Sequence, residues 1–151
     1  MADRPREQPR LSYGLLAEVA ETRLGEAKAL LAASYWVGAV YLGGFAVECY
    51  LKAAICRTHE YEDLPKECRT HNLVLLLTAS GLEETLNKSG FEDILESFKK
   101  VVSYWNVQGD EHIRYAAPST SKIKRETARQ FLRFVDDAKI GVVPWLRRMM
   151  S

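Results

Sequence analysis

The chain has 151 residues, 47% hydrophobic and 27% charged, with 21 Lys and Arg against 20 Asp and Glu. That length and balance fit one globular domain with a core of ordinary size and exclude a disordered chain. A formal net charge of +1 leaves no global field to draw in nucleic acid or membrane, so such binding would need a local patch.

The opening MADRPREQPR is polar, rich in Arg and Pro, and leads into no apolar leader-like stretch. Residues 1–12 therefore read as a flexible arm, and 13–151 as a single helical domain. Apolar residues then recur at three- and four-residue steps. Leu16, Val19, Ala20, Leu24, Ala27, Leu30 and Leu31 predict a first helix over about residues 15–33. A second, over about 37–57, is apolar nearly all round and should be central. The uncharged stretch 34–47 that leads into Glu48 is shorter than the ~20 residues of a bilayer span, so a buried core helix and no membrane are expected. Leu64-Pro65 breaks the helical pattern, because Pro lacks an N–H and pushes its predecessor out of the helical region.

A short helix is expected over about 71–79, ending near Gly81. The stripe Phe91, Ile94, Leu95, Phe98, Val101, Val102 and Trp105 predicts a long helix over about 91–105. Gly109 and Pro118 mark a loop, after which Ser119, Thr120 and Ser121 offer N-cap hydroxyls for a last helix. Ile123, Ala128, Phe131, Leu132, Val135, Ala138 and Val142 form its apolar stripe, and Pro144 should kink or end it. No alternating run argues for strands. The expectation is an all-α protein, an up-and-down antiparallel bundle of four to five helices.

Within the second helix, YLGGFAVECYLKAAI carries small residues and two charges. Gly costs about 1 kcal/mol against Ala inside a helix, so Gly38, Gly43 and Gly44 imply close approach of a neighbour, from this chain or from a dimer partner. Glu48 and Lys52 share one face at i,i+4. They read either as a structural ion pair or as the lining of an internal polar pocket, since a buried charge must be paired. His71 is either a capping residue or a proton-transfer group. Arg114, followed by Tyr115, can hold a phosphate or carboxylate with its planar fork, or anchor its loop through a salt bridge with a group such as Glu48.

Two further patterns stand out. CRTH occurs twice, so Cys56, His59, Cys68 and His71 together have the donor types of a zinc site, at an unfamiliar spacing. Lys122, Arg125, Arg129 and Arg133 form a basic ridge, read as a solvated face or as a footprint for RNA. No phosphate-binding Gly-rich loop, HExxH or nucleophile elbow occurs, and no cofactor is expected. Three cysteines without a disulfide pattern suggest a reducing cytoplasm.

In order and spacing, Ala39 through Lys52 (AVYLGGFAVECYLK), His71-Asn72-Leu73 with Leu76, Trp105, and Arg114-Tyr115 resemble the prokaryotic branch of the HEPN family (higher eukaryotes and prokaryotes nucleotide-binding domains). The resemblance spans about residues 15–145. It implies a helical bundle, often a homodimer, that works on RNA or nucleotides. It also implies membership of a toxin–antitoxin or defence system, frequently beside a minimal nucleotidyltransferase partner. Ribonucleases of the family carry Arg, four to six residues, then His. No Arg here precedes a His at that distance, and the nearest approach is Lys66 before His71. The resemblance thus implies a binding module whose ligand site is Glu48, Lys52, His71, Arg114 and Tyr115, with Glu48 orienting Arg114. The alternatives are a metal-independent ribonuclease with Arg114 and His71 as its catalytic pair, and a structural bundle stapled by zinc.

Overall fold

The computed structural model describes residues 9–105, 113–117, 119 and 121–151, apart from the side chain of Arg114. The expected arm falls largely outside these residues, as do Gly109, Pro118 and Thr120. Among the described residues the chain is all helical, with no strand: α1 (Tyr13–Ala32), α2 (Trp36–His59), α3 (Leu73–Ser80), α4 (Glu83–Leu86), α5 (Glu92–Trp105), α6 (Arg125–Asp136) and α7 (Val142–Met150), with short 3₁₀ turns at Lys66–Cys68 and Ile113–Tyr115. The all-α bundle is as expected. The helix count is higher, because the single turn of α4 intervenes and the last helix is two.

α1 and α2 pair along their length across the tight connection Ala33, Ser34 and Tyr35. Ser34 takes a left-handed conformation there (φ 69°), and the Tyr35 N–H folds back onto the Leu30 carbonyl at 2.9 Å. α2 is the central element and packs against α1, α3, α5, α6 and α7. Fifteen of its 24 residues are buried, which is why its sequence is apolar nearly all round. By length and composition α2 would also suffice to cross a bilayer, contrary to the expectation from residues 34–47. Most of that stretch is buried inside the bundle.

The glycines of α2 answer to neighbours within the same chain. A Cβ on Gly44 would collide with the Trp105 ring, and one on Gly43 would lie 2.7 Å from Leu132 Cδ2. Gly38 faces Leu30 of α1. The close approach inferred from sequence is therefore made by α1, α5 and α6, and these glycines do not form a face for a second copy.

The C-terminal third corrects two expectations. The predicted Ser N-caps do not start α6. Ser121 Oγ accepts the Ile123 N–H at 3.1 Å in a local turn, and the helix begins after Lys124. At the other end, Asp137 Oδ1 accepts the N–H groups of Lys139 and Ile140 at 2.9 and 3.1 Å, which stops the helix and leaves Ala138 exposed. Those two backbone hydrogen bonds hold the Asp137 carboxyl below its ordinary pKa. Pro144 ends nothing. It lies in the first turn of α7, where its missing N–H has no intrahelical acceptor to lose.

Candidate functional site

One stripe of α2, Tyr41, Gly44, Glu48 and Lys52, carries the polar cluster of the core. These residues fall at three- and four-residue steps and so lie above one another on one helix face. Glu48 is only 1% exposed and Lys52 8%. The carboxylate divides its two oxygens: Lys52 Nζ donates to Oε2 at 2.9 Å, and His71 Nδ1 meets Oε1 at 2.7 Å. A carboxylate has no hydrogen to give, so Nδ1 carries the proton of this hydrogen bond. The imidazole side chain is 44% exposed, while the carboxylate that orients it is sealed in the core.

His71 reaches this position by a path that the sequence does not reveal. After α2 the connection is pinned to the start of the domain, since the Leu64 N–H donates to the Leu11 carbonyl and the Leu11 N–H to Asp63 Oδ1. Arg69 braces the return, with Nη2 on Asp63 at 2.9 Å and Nε on the Leu64 carbonyl at 3.3 Å. Asn72 caps α3 by accepting the Leu75 N–H at 3.1 Å, so His71 sits one residue ahead of the cap rather than opening the helix. Trp105 Nε1–H donates to the His71 carbonyl at 3.0 Å and fixes its backbone to α5. The Trp105 ring lies over Gly44 and stacks at 6.0 Å on Tyr41. The missing side chain at 44 thus admits the ring that anchors His71 over Glu48.

Of the five residues expected to form a ligand site, the fold brings Glu48, Lys52 and His71 together. Glu48 was expected to orient Arg114, whose side chain is outside the described residues; the partners its two oxygens show are Lys52 and His71. Arg114 lies in the 3₁₀ turn Ile113–Tyr115, which is anchored by the buried Ile113 and packs against α2. Tyr115, in the same turn, is 73% exposed. Trp105, Gly44 and Tyr41 were not singled out as site residues, although the glycine inside an apolar helix was the signal for a large partner.

The alternative of a zinc set at Cys56, His59, Cys68 and His71 finds no assembled site. Among the described residues no three His, Cys, Asp or Glu are grouped as metal donors. His59 Nε2 is 2.9 Å from the Ala79 carbonyl, Cys56 Sγ points to the Leu11 carbonyl at 3.6 Å, and His71 is held by Glu48. The CRTH copies diverge because the first ends α2 and the second lies in the connection before α3. Burial first, then neighbouring Asp63 and Cys68, pushes the Cys56 thiol up; burial and Glu67 do the same for Cys68. Cys49, beside Glu48, is pushed up to about 12, chiefly by burial. These are packed thiols rather than thiolates.

Taken together, the chain is an all-α helical bundle with a buried carboxylate that holds an ammonium and a surface imidazole. No family model, curated protein or solved structure matches it.

Proposed function

We propose that this chain is a HEPN-type module that binds a phosphate-bearing ligand, RNA or a nucleotide, at the surface over Glu48. The observation that carries the reading is the division of one buried carboxylate between Lys52 and His71. A buried ion pair is weak as a source of stability, and a half-exposed imidazole is not needed to complete it. Its attachment orients a hydrogen-bonding ring at the surface. The turn carrying Arg114 and Tyr115 packs on the same helix, and an Arg fork and an imidazole are the groups that recognise phosphate oxygens.

The absence of an Arg four to six residues before a His supports binding rather than cleavage. One observation favours a second reading: the 2.7 Å contact of Glu48 with His71 is the arrangement that orients a general base. The discriminating experiment incubates mixed cellular RNA with the purified protein in chelator, beside Arg114→Ala and His71→Ala, and follows ligand-induced shifts in melting temperature. Intact RNA with stabilisation by RNA or nucleotide, lost in both variants, supports a binding module. Such a shift reaches about 2.7 kcal/mol at a hundredfold excess over Kd. Cleavage by the wild type alone would make it a ribonuclease. No cleavage and no shift would reduce the cluster to a device that fixes helix register.

A further inference from the structure

The other end of α2 carries a second feature, which does not depend on the reading of Glu48. A cavity of about 340 Å³ opens between the end of α1, the α1–α2 turn and the first turns of α6. Its polar lining is cationic: Lys28 from α1, and Arg125 and Arg129 from α6. A smaller pocket of about 150 Å³ adjoins it through Ser34 and Trp36, and adds Tyr35 and Lys124. Trp36 and Glu48 are twelve positions apart on one helix, about 18 Å at the α-helical rise, so the two places are separate.

The charges are unequally satisfied. Lys28 pairs with Asp136, and Arg129 lies 4.0 Å from the exposed Glu126. Among the described residues Lys124 and Arg125 meet no carboxylate in an ion pair, and both are exposed. Beside them stand two adjacent aromatics. Tyr35 is 65% exposed, and Trp36 is half-buried against the cavity. The basic ridge of the sequence thus acquires, through folding, the aromatic surface that its own helix lacks. A cationic groove with an aromatic platform is the arrangement that takes phosphate and base together. The volume lies within the range of small-ligand sites.

We infer that this cavity, together with the pocket that adjoins it at Tyr35, binds a nucleotide, taken free or as one residue of a single-stranded nucleic acid. Arg125 and Arg129 face its phosphate, and Tyr35 and Trp36 face its base. The Arg forks suit a phosphate's oxygens, and the open tyrosine ring offers a stacking surface that a simple anion would not use.

The test is fluorescence anisotropy of a labelled ten-nucleotide single-stranded RNA with the full chain, competed by AMP and by tripolyphosphate. Arg125→Ala/Arg129→Ala should weaken binding at least tenfold and reduce the log–log salt slope by about 1.4, at ~0.7 per phosphate contact on a single strand. Tyr35→Ala should weaken RNA binding about tenfold while leaving tripolyphosphate competition unchanged. All three side chains are exposed enough for thermal melting to confirm intact folds. Displacement by AMP would identify a free nucleotide as the ligand, and displacement by unlabelled strand alone a polymer; either outcome supports the inference. No binding by the wild type overturns it. So does an unaltered double variant, or an unaltered Tyr35→Ala with tripolyphosphate competing as well as RNA. Binding abolished by His71→Ala but untouched in the double variant would assign the strand to the Glu48 surface, overturning this inference and leaving that reading intact.

Discussion

The two ends of α2 handle charge in opposite ways. Around Glu48 the charges are buried, and every oxygen of the carboxylate has a partner. Around Trp36 the cations lie at the surface, and Arg125 and Lys124 have no ion-pair partner among the described residues. The difference teaches that charge inside a core is fixed by what it cannot lose, whereas charge at a rim is available to a ligand. Substitutions of the buried charges at the first end should therefore register in stability, and substitutions of the exposed cations at the second in binding alone.

The largest expected effect is at Glu48. Glu48→Ala leaves Lys52 buried without a counter-charge and removes the carboxylate contact of the His71 ring, and should cost about 3–5 kcal/mol, the range for breaking a buried pair on one side. Replacing both partners, as Glu48→Gln with Lys52→Met, should cost clearly less than the sum of the single changes. Urea unfolding of the four species of that cycle checks the coupling. Additive losses would mean that Glu48 and Lys52 are not a unit.

Gly44→Ala comes next. Its Cβ would meet the rigid Trp105 ring, whereas at Gly43 the nearest atom is the Leu132 Cδ2 methyl, at the end of a flexible side chain. Overpacking against a ring should outweigh the gain in helix propensity and leave a net loss of about 2 kcal/mol, with Gly43→Ala costing less. Because Trp105 holds the His71 carbonyl, Gly44→Ala should also shift the His71 ring resonances in NMR spectra. A stable Gly44→Ala protein with unmoved His71 signals would break the proposed chain from glycine to imidazole.

Asn72→Ala removes the side-chain cap of α3, directly after His71, and should cost about 1 kcal/mol by urea unfolding. It separates local helix capping from the buried cluster, since Glu48 and Lys52 keep their own contact.

Much of the first end was legible in the sequence. A near-uniform apolar run identified α2 as central, and i,i+4 spacing put Glu48 and Lys52 on one face. Which group would meet Glu48 was not legible. That depends on the path of residues 60–72, set by long-range backbone contacts to Leu11 and by the Asp63–Arg69 pair. Spacing within a helix cannot encode such a route. The second end was half legible. The ridge of Lys and Arg showed in the pattern of α6, but its aromatic neighbours come from the α1–α2 turn, and only folding places them together. The end of α6 was misjudged because the stripe continues through Ala138 and Val142, while Asp137 Oδ1 diverts two N–H groups from the helix. Pro144 was weighted as a terminator although a first helical turn accepts it.

The smallest expected effect on stability sharpens the comparison most. Arg125→Glu reverses an exposed charge with no ion pair to lose among the described residues, so it should change unfolding free energy by no more than about 0.5 kcal/mol. A substitution that is nearly silent in urea yet weakens RNA binding would place Arg125 at a rim that serves a ligand. A loss of 2 kcal/mol or so, as a core change would give, would show that the α6 cations hold the bundle together, and the contrast between the two ends of α2 would collapse.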